Sequence, residues 1–184
     1  MVDVDWVAEL GDQLDWHWRE RLRPRLAGLS DEEYFWEPVP GCWTLRPRRE
    51  ESEIGGGRLT VDYAFPTPEP APVTTIAWRM AHLTVHVLGK RAETQFGGPP
   101  VQYDTFPFAA TAATALNQLD AAYDAWSSGL RALSPVDLAR VGGAAEGPFA
   151  DRPLPALVLH IHREVIHHGA EIALLRDLYL RRRP

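Results

Sequence analysis

Cysteine is almost missing from this 184-residue chain: Cys42 stands alone. A single thiol excludes an internal disulfide and a thiolate metal cluster, so any metal site draws on His, Asp and Glu. In GCWTL, beside Trp43, Cys42 reads as a packed core thiol rather than a nucleophile. Lysine is equally scarce, with Lys90 set against 18 arginines. Together with abundant Ala, Gly and Pro, that imbalance points to a GC-rich genome and carries no information on fold. No segment approaches the ~18 consecutive apolar residues of a membrane span. The early stretch DWHWRERLRPR puts charges where the apolar part of a signal peptide would lie. A cytoplasmic location is the default expectation. The formal net charge of -6 argues against nucleic acid or an anionic membrane as partner. The terminal RRRP is too short to reverse that and is expected to lie solvated beyond the last helix.

Apolar residues are plentiful, at 45% against 24% charged, which suits a soluble globular chain with one domain over 1–184. Seven tryptophans exceed what a small core readily hides, so a homodimer is expected. Four stretches carry long helical periodicity. The first holds Trp6, Leu10, Leu14, Trp18, Leu22 and Leu26. The second begins after Pro72, with Thr74 or Thr75 as N-cap, carries Ile76, Met80, Leu83 and Val87, and stops near Gly97-Gly98-Pro99-Pro100. The third starts near Thr111 and carries Leu116, Leu119, Tyr123, Trp126 and Leu130. The fourth opens near Asp151-Arg152-Pro153, where proline suits a first turn, and continues to about Leu180. Capping patterns at Ser30-Asp31-Glu32-Glu33 and Ser134-Pro135-Val136-Asp137 open two short helices.

Between the first two helices, residues 42–73 contain Gly55-Gly56-Gly57 and prolines at 67, 70 and 72, which rules out a long helix. Trp43-Thr44-Leu45 and Leu59-Thr60-Val61-Asp62-Tyr63 are expected to pair as a small β-hairpin. The expected fold is therefore all-α, a four-helix bundle with one long irregular connection. Connections of that length are often functional, and this one is placed to form a rim over a pocket at one end of the bundle.

The chemistry is concentrated on the fourth helix, in HIHREVIHHGAEIALLRDLY. At about 100° per residue, His160, Glu164, His167, His168 and Glu171 share a wedge of about 100°, while His162 lies on the far side. Apolar flanks (Leu157, Ile161, Val165, Ile172, Leu175) surround the wedge, and half-buried charge at that density needs partners. Side chains four apart project side by side, so both His160/Glu164 and Glu164/His168 can reach one divalent ion. The further ligand is expected from WRMAHLTVH on the second helix, where His82 and His86 are also four apart.

Three stretches, WEPVPGCWTLRP, IAWRMAHL and EVIHHGAEIALLRDLY, together resemble the DinB-like superfamily over nearly the whole chain. That resemblance implies a four-helix bundle holding one divalent metal, usually zinc or nickel, through three side chains. Relatives often carry two histidines as the pair on the fourth helix; Glu164 stands where the first would be. In this the chain is similar to the branch that includes mycothiol-dependent maleylpyruvate isomerase, with a His-Glu-His triad. Carried over residue by residue, the ligands become His82, Glu164 and His168. His86, His160 and His167 become neighbours that support the ligands or carry protons, and Glu171 orients a ligand histidine. Arg79 is either an anion clamp facing the pocket or a surface residue.

Three protein ligands leave a position open, as in catalytic sites. The resemblance implies an enzyme that activates a low-molecular-weight thiol such as mycothiol toward a small-molecule electrophile, as S-transferase or isomerase. The maleylpyruvate isomerases carry an additional C-terminal domain for which no counterpart is expected after the fourth helix, so their substrate is not carried over. A metal-dependent hydrolase and a non-catalytic metal-stabilised bundle that binds a ligand or protein are the alternatives.

Overall fold

The computed structural model describes residues 4–182. Four long helices form a bundle in which the third helix packs on the first and second, and the fourth closes against the same two. The first helix runs as α-helix over Trp6–His17, passes through a π-helical turn over Trp18–Leu22 and ends at Arg23–Arg25. Leu10, Leu14, Trp18, Leu22 and Leu26 face the core, but Trp6 is 62% exposed. A strict four-residue repeat advances about 40° per step on a 3.6-residue helix, so its first and last members cannot share a face. The wider π turn takes back part of that drift in the middle of the stripe and leaves Trp6 outside it.

The second helix starts at Ile76–His82, where the Thr75 hydroxyl accepts from the Trp78 N–H as N-cap. It too contains a π-helical segment, Leu83–Gly89, before ending over Lys90–Phe96. Gly97, in the left-handed region at φ 69°, terminates it; the absence of a side chain makes that conformation inexpensive. Ile76, Met80, Leu83 and Val87 are all buried. The third helix spans Ala112–Arg131 behind a Thr111 cap, and the fourth spans Leu154–Arg181 behind Pro153. The short helices Asp31–Tyr34 and Pro135–Leu138 are capped by Ser30 and Ser134 as their sequences foretell. Of the expected solvated RRRP end, residues 183–184 lie outside the described range. No helix among the described residues is long and apolar enough to cross a membrane.

The connection between the first two helices does contain a two-stranded antiparallel sheet, but its first strand lies two residues later than the expected 43–45. Leu45–Pro47 pairs with Leu59–Val61, with Leu45 opposite Val61. Trp43 instead bridges Thr74 in the parallel sense, with its N–H donating to the Val73 carbonyl and its carbonyl accepting from Thr75. That bridge fastens the start of the connection to the entry of the second helix. The Thr44 and Thr75 hydroxyls meet at 2.8 Å beside it. Cys42 is buried, its thiol donating to the Val39 carbonyl, which agrees with a packing role.

Gly55-Gly56-Gly57 holds the connection to the segment after the second helix. Gly55 and Gly56 N–H groups donate to the Asp104 and Phe106 carbonyls. A Cβ on Gly56 would lie 1.9 Å from the Thr105 carbonyl oxygen, so the backbones approach closely only because no side chain intervenes. The contact positions Tyr103, in the short helical turn Tyr103–Thr105, against His86. At the other end of the bundle, Arg176 of the fourth helix forks onto the buried Glu33 carboxylate, at 2.5 and 3.1 Å, and caps the Ala27 carbonyl.

Candidate metal centre

His82 lies at the last α-helical position of the second helix, immediately before its π segment. Its ring stacks on Trp78 at 5.4 Å and meets His168 edge-on at 4.8 Å across the bundle. Burial first, then the nearby His168, His86 and Arg79, hold the His82 pKa down at about 3. It is therefore a neutral imidazole with a lone pair to offer. On the fourth helix, one turn joins Glu164 to His168, with Glu164 Oε2 3.3 Å from His168 Nε2. Donor atoms of His82, Glu164 and His168 all lie within 4.8 Å of one another.

The protons around His168 decide which atoms can act as ligands. Glu171 Oε2 is 2.7 Å from His168 Nδ1 and 3.0 Å from Arg79 Nη1. A carboxylate only accepts, so a neutral His168 carries its proton on Nδ1 toward Glu171 and turns Nε2 as an acceptor to Glu164; Arg79 Nη1 also lies 3.0 Å from that Nδ1. With His168 neutral, its Nε2 and the Glu164 carboxylate are two lone-pair donors at 3.3 Å, and a shared divalent cation would satisfy them, as a proton between them does. A carboxylate on the far nitrogen of a ligating histidine is the usual second contact at such sites. The residues therefore fit a divalent metal.

A second trio, His167, His168 and Glu171, is also compact. There, however, Glu171 Oε2 already receives N–H groups from Arg79 and His168. His167 itself is largely in solvent, 3.5 Å from Glu171 Oε1. His160 is half-exposed, with Arg163 Nη2 donating to its Nδ1 at 2.6 Å and Glu164 Oε1 at 3.7 Å; its proton therefore sits on Nε2. His86 projects from the π segment, 5.8 Å from the His82 ring centre and 4.2 Å from that of Tyr103. Partial desolvation of a ring that keeps an exposed edge, followed by the charge of Arg91, lowers its pKa. His162 faces the core, as the wheel indicates; burial depresses its pKa to about 4, and its Nε2 has no partner.

Arg79 is neither the surface residue nor the free anion clamp that sequence reading offers. Its side chain is 19% exposed, and its charge is met by Glu171. Helical periodicity gives no notice of that pairing, because Arg79 and Glu171 are on different helices.

Two cavities border His82. One, of about 280 Å³, is walled by Trp43, Tyr63, Trp78, Arg79, His82 and Tyr103 among others. The other, of about 270 Å³, is lined by His82, His86, Lys90, Arg91, His160 and Glu164. Arg91 and His160 also border an adjoining hollow of about 400 Å³, which adds Arg152 and Arg163. The aromatic wall went unrecognised in the sequence, since Trp43, Tyr63 and Tyr103 come from irregular segments without periodicity.

The family model of the DinB superfamily matches residues 13–172, a span that contains the second helix and the Glu164/His168 pair. The chain belongs to the DinB superfamily. The likeness carried by WEPVPGCWTLRP, IAWRMAHL and EVIHHGAEIALLRDLY is borne out, as are the DinB helical-bundle fold and the presence of a His-Glu-His trio. No curated protein matches the chain, and no solved structure does. For a DinB protein with this trio, the coarse conclusion is a helical bundle with a candidate divalent-metal site.

Proposed function

We propose that this DinB protein is a metal-dependent enzyme that transfers or adds a low-molecular-weight thiol, with His82, Glu164 and His168 as metal ligands. One observation carries the reading: donor atoms of His82, Glu164 and His168 converge within 4.8 Å of one another, beside two cavities that His82 borders. A bound divalent metal, zinc in first place and nickel in second, supplies Lewis acidity and lowers the pKa of a thiol at its open position. Glu171 fixes the His168 tautomer through Nδ1 and so keeps Nε2 available. His86, kept neutral by its surroundings, accepts a proton at the cavity wall; His160 holds one on Nε2 and donates it. His167 remains a solvent-side neighbour of Glu171. Mycothiol is the favoured thiol, on the arginine-rich composition of the chain.

The experiment is consumption of monochlorobimane by the zinc-loaded protein with and without added thiol, beside Glu164→Ala. Thiol-dependent turnover lost in the variant supports the reading. Turnover of esters without thiol replaces it with a hydrolase. Metal bound with no turnover of either kind leaves a ligand-binding bundle.

A further inference from the structure

The hollow of about 400 Å³ that adjoins the His82/Glu164 cavity is walled on one side by the start of the fourth helix. Ala156, His160 and Arg163 follow one another at intervals of four and three residues, so they share one face of that helix. Arg152 precedes them, just ahead of the first turn. Ala156 is the small member of this row, and its short side chain leaves room there. Phe149 and Leu157 supply an apolar wall, and Phe149 is 65% exposed.

Charge in this lining is unbalanced. Its one carboxylate, Glu146, is buried and already held: Gln95 Nε2 donates to it at 2.8 Å, and Arg91 Nε lies 3.4 Å from its other oxygen. Lys90, on the metal side, is likewise paired with Glu93 at 2.8 Å. Arg152 is exposed and makes no ion pair with the described residues. Arg163 donates one N–H to His160 Nδ1 and stands 3.8 Å from Glu164, the carboxylate assigned to the metal. Two guanidiniums therefore border the hollow with unsatisfied donors. A divalent metal on His82 and Glu164 would add positive charge beside them, so the field across both cavities favours an anion. The chain as a whole carries a formal charge of -6, which makes this positive excess local to the hollow.

We propose that the hollow anchors a carboxylate on the small molecule that reacts at the metal centre, with Arg152 and Arg163 on the carboxylate and Phe149 and Leu157 against an apolar body. The guanidinium fork matches a carboxylate in shape as well as in charge. About 150 Å³ accommodates benzene, so the hollow has room for two fused rings. Arg91 and His160 border both cavities, and a molecule anchored here extends between them toward His82 and Glu164. That the anchored molecule is the substrate rests on the function proposed above; the binding of the anion does not.

The test is calorimetric titration of the zinc-loaded full chain with 2-naphthoate, in the absence of thiol, beside its uncharged isostere 2-naphthamide. The carboxylate is expected to bind at least about fivefold more tightly than the amide. Arg152→Gln and Arg163→Gln should each weaken it about three- to tenfold. Ala156→Leu, which fills the hollow and leaves every charge in place, should weaken it at least about tenfold. Arg181→Gln, an equal loss of charge at the far end of the same helix, should leave affinity within about twofold of the parent. All four substituted residues are exposed, so the variants retain the fold. Naphthoate that binds the parent and both hollow-arginine variants alike is sitting on the zinc, and that result overturns the proposal. So does the amide bound as tightly as the carboxylate, or no naphthoate binding at about 1 mM. Thiol-dependent turnover in a protein whose naphthoate affinity ignores the arginines sinks this subsite alone. Naphthoate bound as described without any thiol turnover sinks the enzymatic reading alone.

Discussion

Replacing Glu171 with Gln perturbs the metal centre without touching a proposed ligand. Its Oε2 receives His168 Nδ1 at 2.7 Å and Arg79 Nη1 at 3.0 Å, so one oxygen serves two donors. The amide keeps one acceptor oxygen and loses the charge. His168 is then less firmly held in the tautomer that offers Nε2, and Arg79 is left with its positive charge uncompensated near the cation. Loss of such an outer partner typically weakens metal affinity about 10- to 100-fold, or roughly 1.4–2.7 kcal/mol. The uncompensated arginine places the expectation toward the upper end. Competition of the protein with a chromogenic zinc chelator measures it directly. Zinc affinity within about threefold of the original would refute the account of His168. So would loss of zinc in Glu171→Gln alongside full retention in Glu164→Gln, since Glu171 would then be the ligand.

Arg176→Met leaves the Glu33 carboxylate, 3% exposed, buried without its partner. Unfolding free energy should fall by about 3–5 kcal/mol, seen as a melting temperature lower by roughly 6–20 °C; adding Glu33→Gln should recover much of the loss. Gly56→Ala drives a methyl group into the Thr105 carbonyl and should release the long connection from the Tyr103 segment. Limited proteolysis between residues 48 and 58 should accelerate while zinc affinity holds, because the proposed ligands sit on helices.

Legibility of this molecule in its sequence followed the range of the interactions. Helix starts at Thr111, Ser30 and Ser134, and at one of Thr74 and Thr75, were readable because capping is local, as was the stop at Gly97. That Glu164 pairs with a histidine four residues away was readable because that geometry is internal to one helix, but the choice of His168 over His160 came from the resemblance. The choice between His82 and His86 was not readable either, since both satisfy the same spacing; the resemblance to DinB proteins pointed to His82, and the rotation of the second helix places that ring against His168. Trp6 illustrates the limit of a four-residue repeat, which a π turn re-phases in ways the sequence does not announce. The first strand starts later than expected because Trp43 is claimed by Thr74, thirty-one residues away in the chain. Arg79 and the aromatic chamber depend on contacts between distant segments, and periodicity carries no trace of those.

The central claim is that His82, Glu164 and His168 hold the metal. Zinc per chain, measured by elemental mass spectrometry after saturation and desalting, tests it most directly in the parent protein, His82→Ala and His167→Ala. The account predicts one zinc per chain in the parent and in His167→Ala, and a loss in His82→Ala. Zinc retained in His82→Ala and lost in His167→Ala would contradict it and move the site to His167, His168 and Glu171.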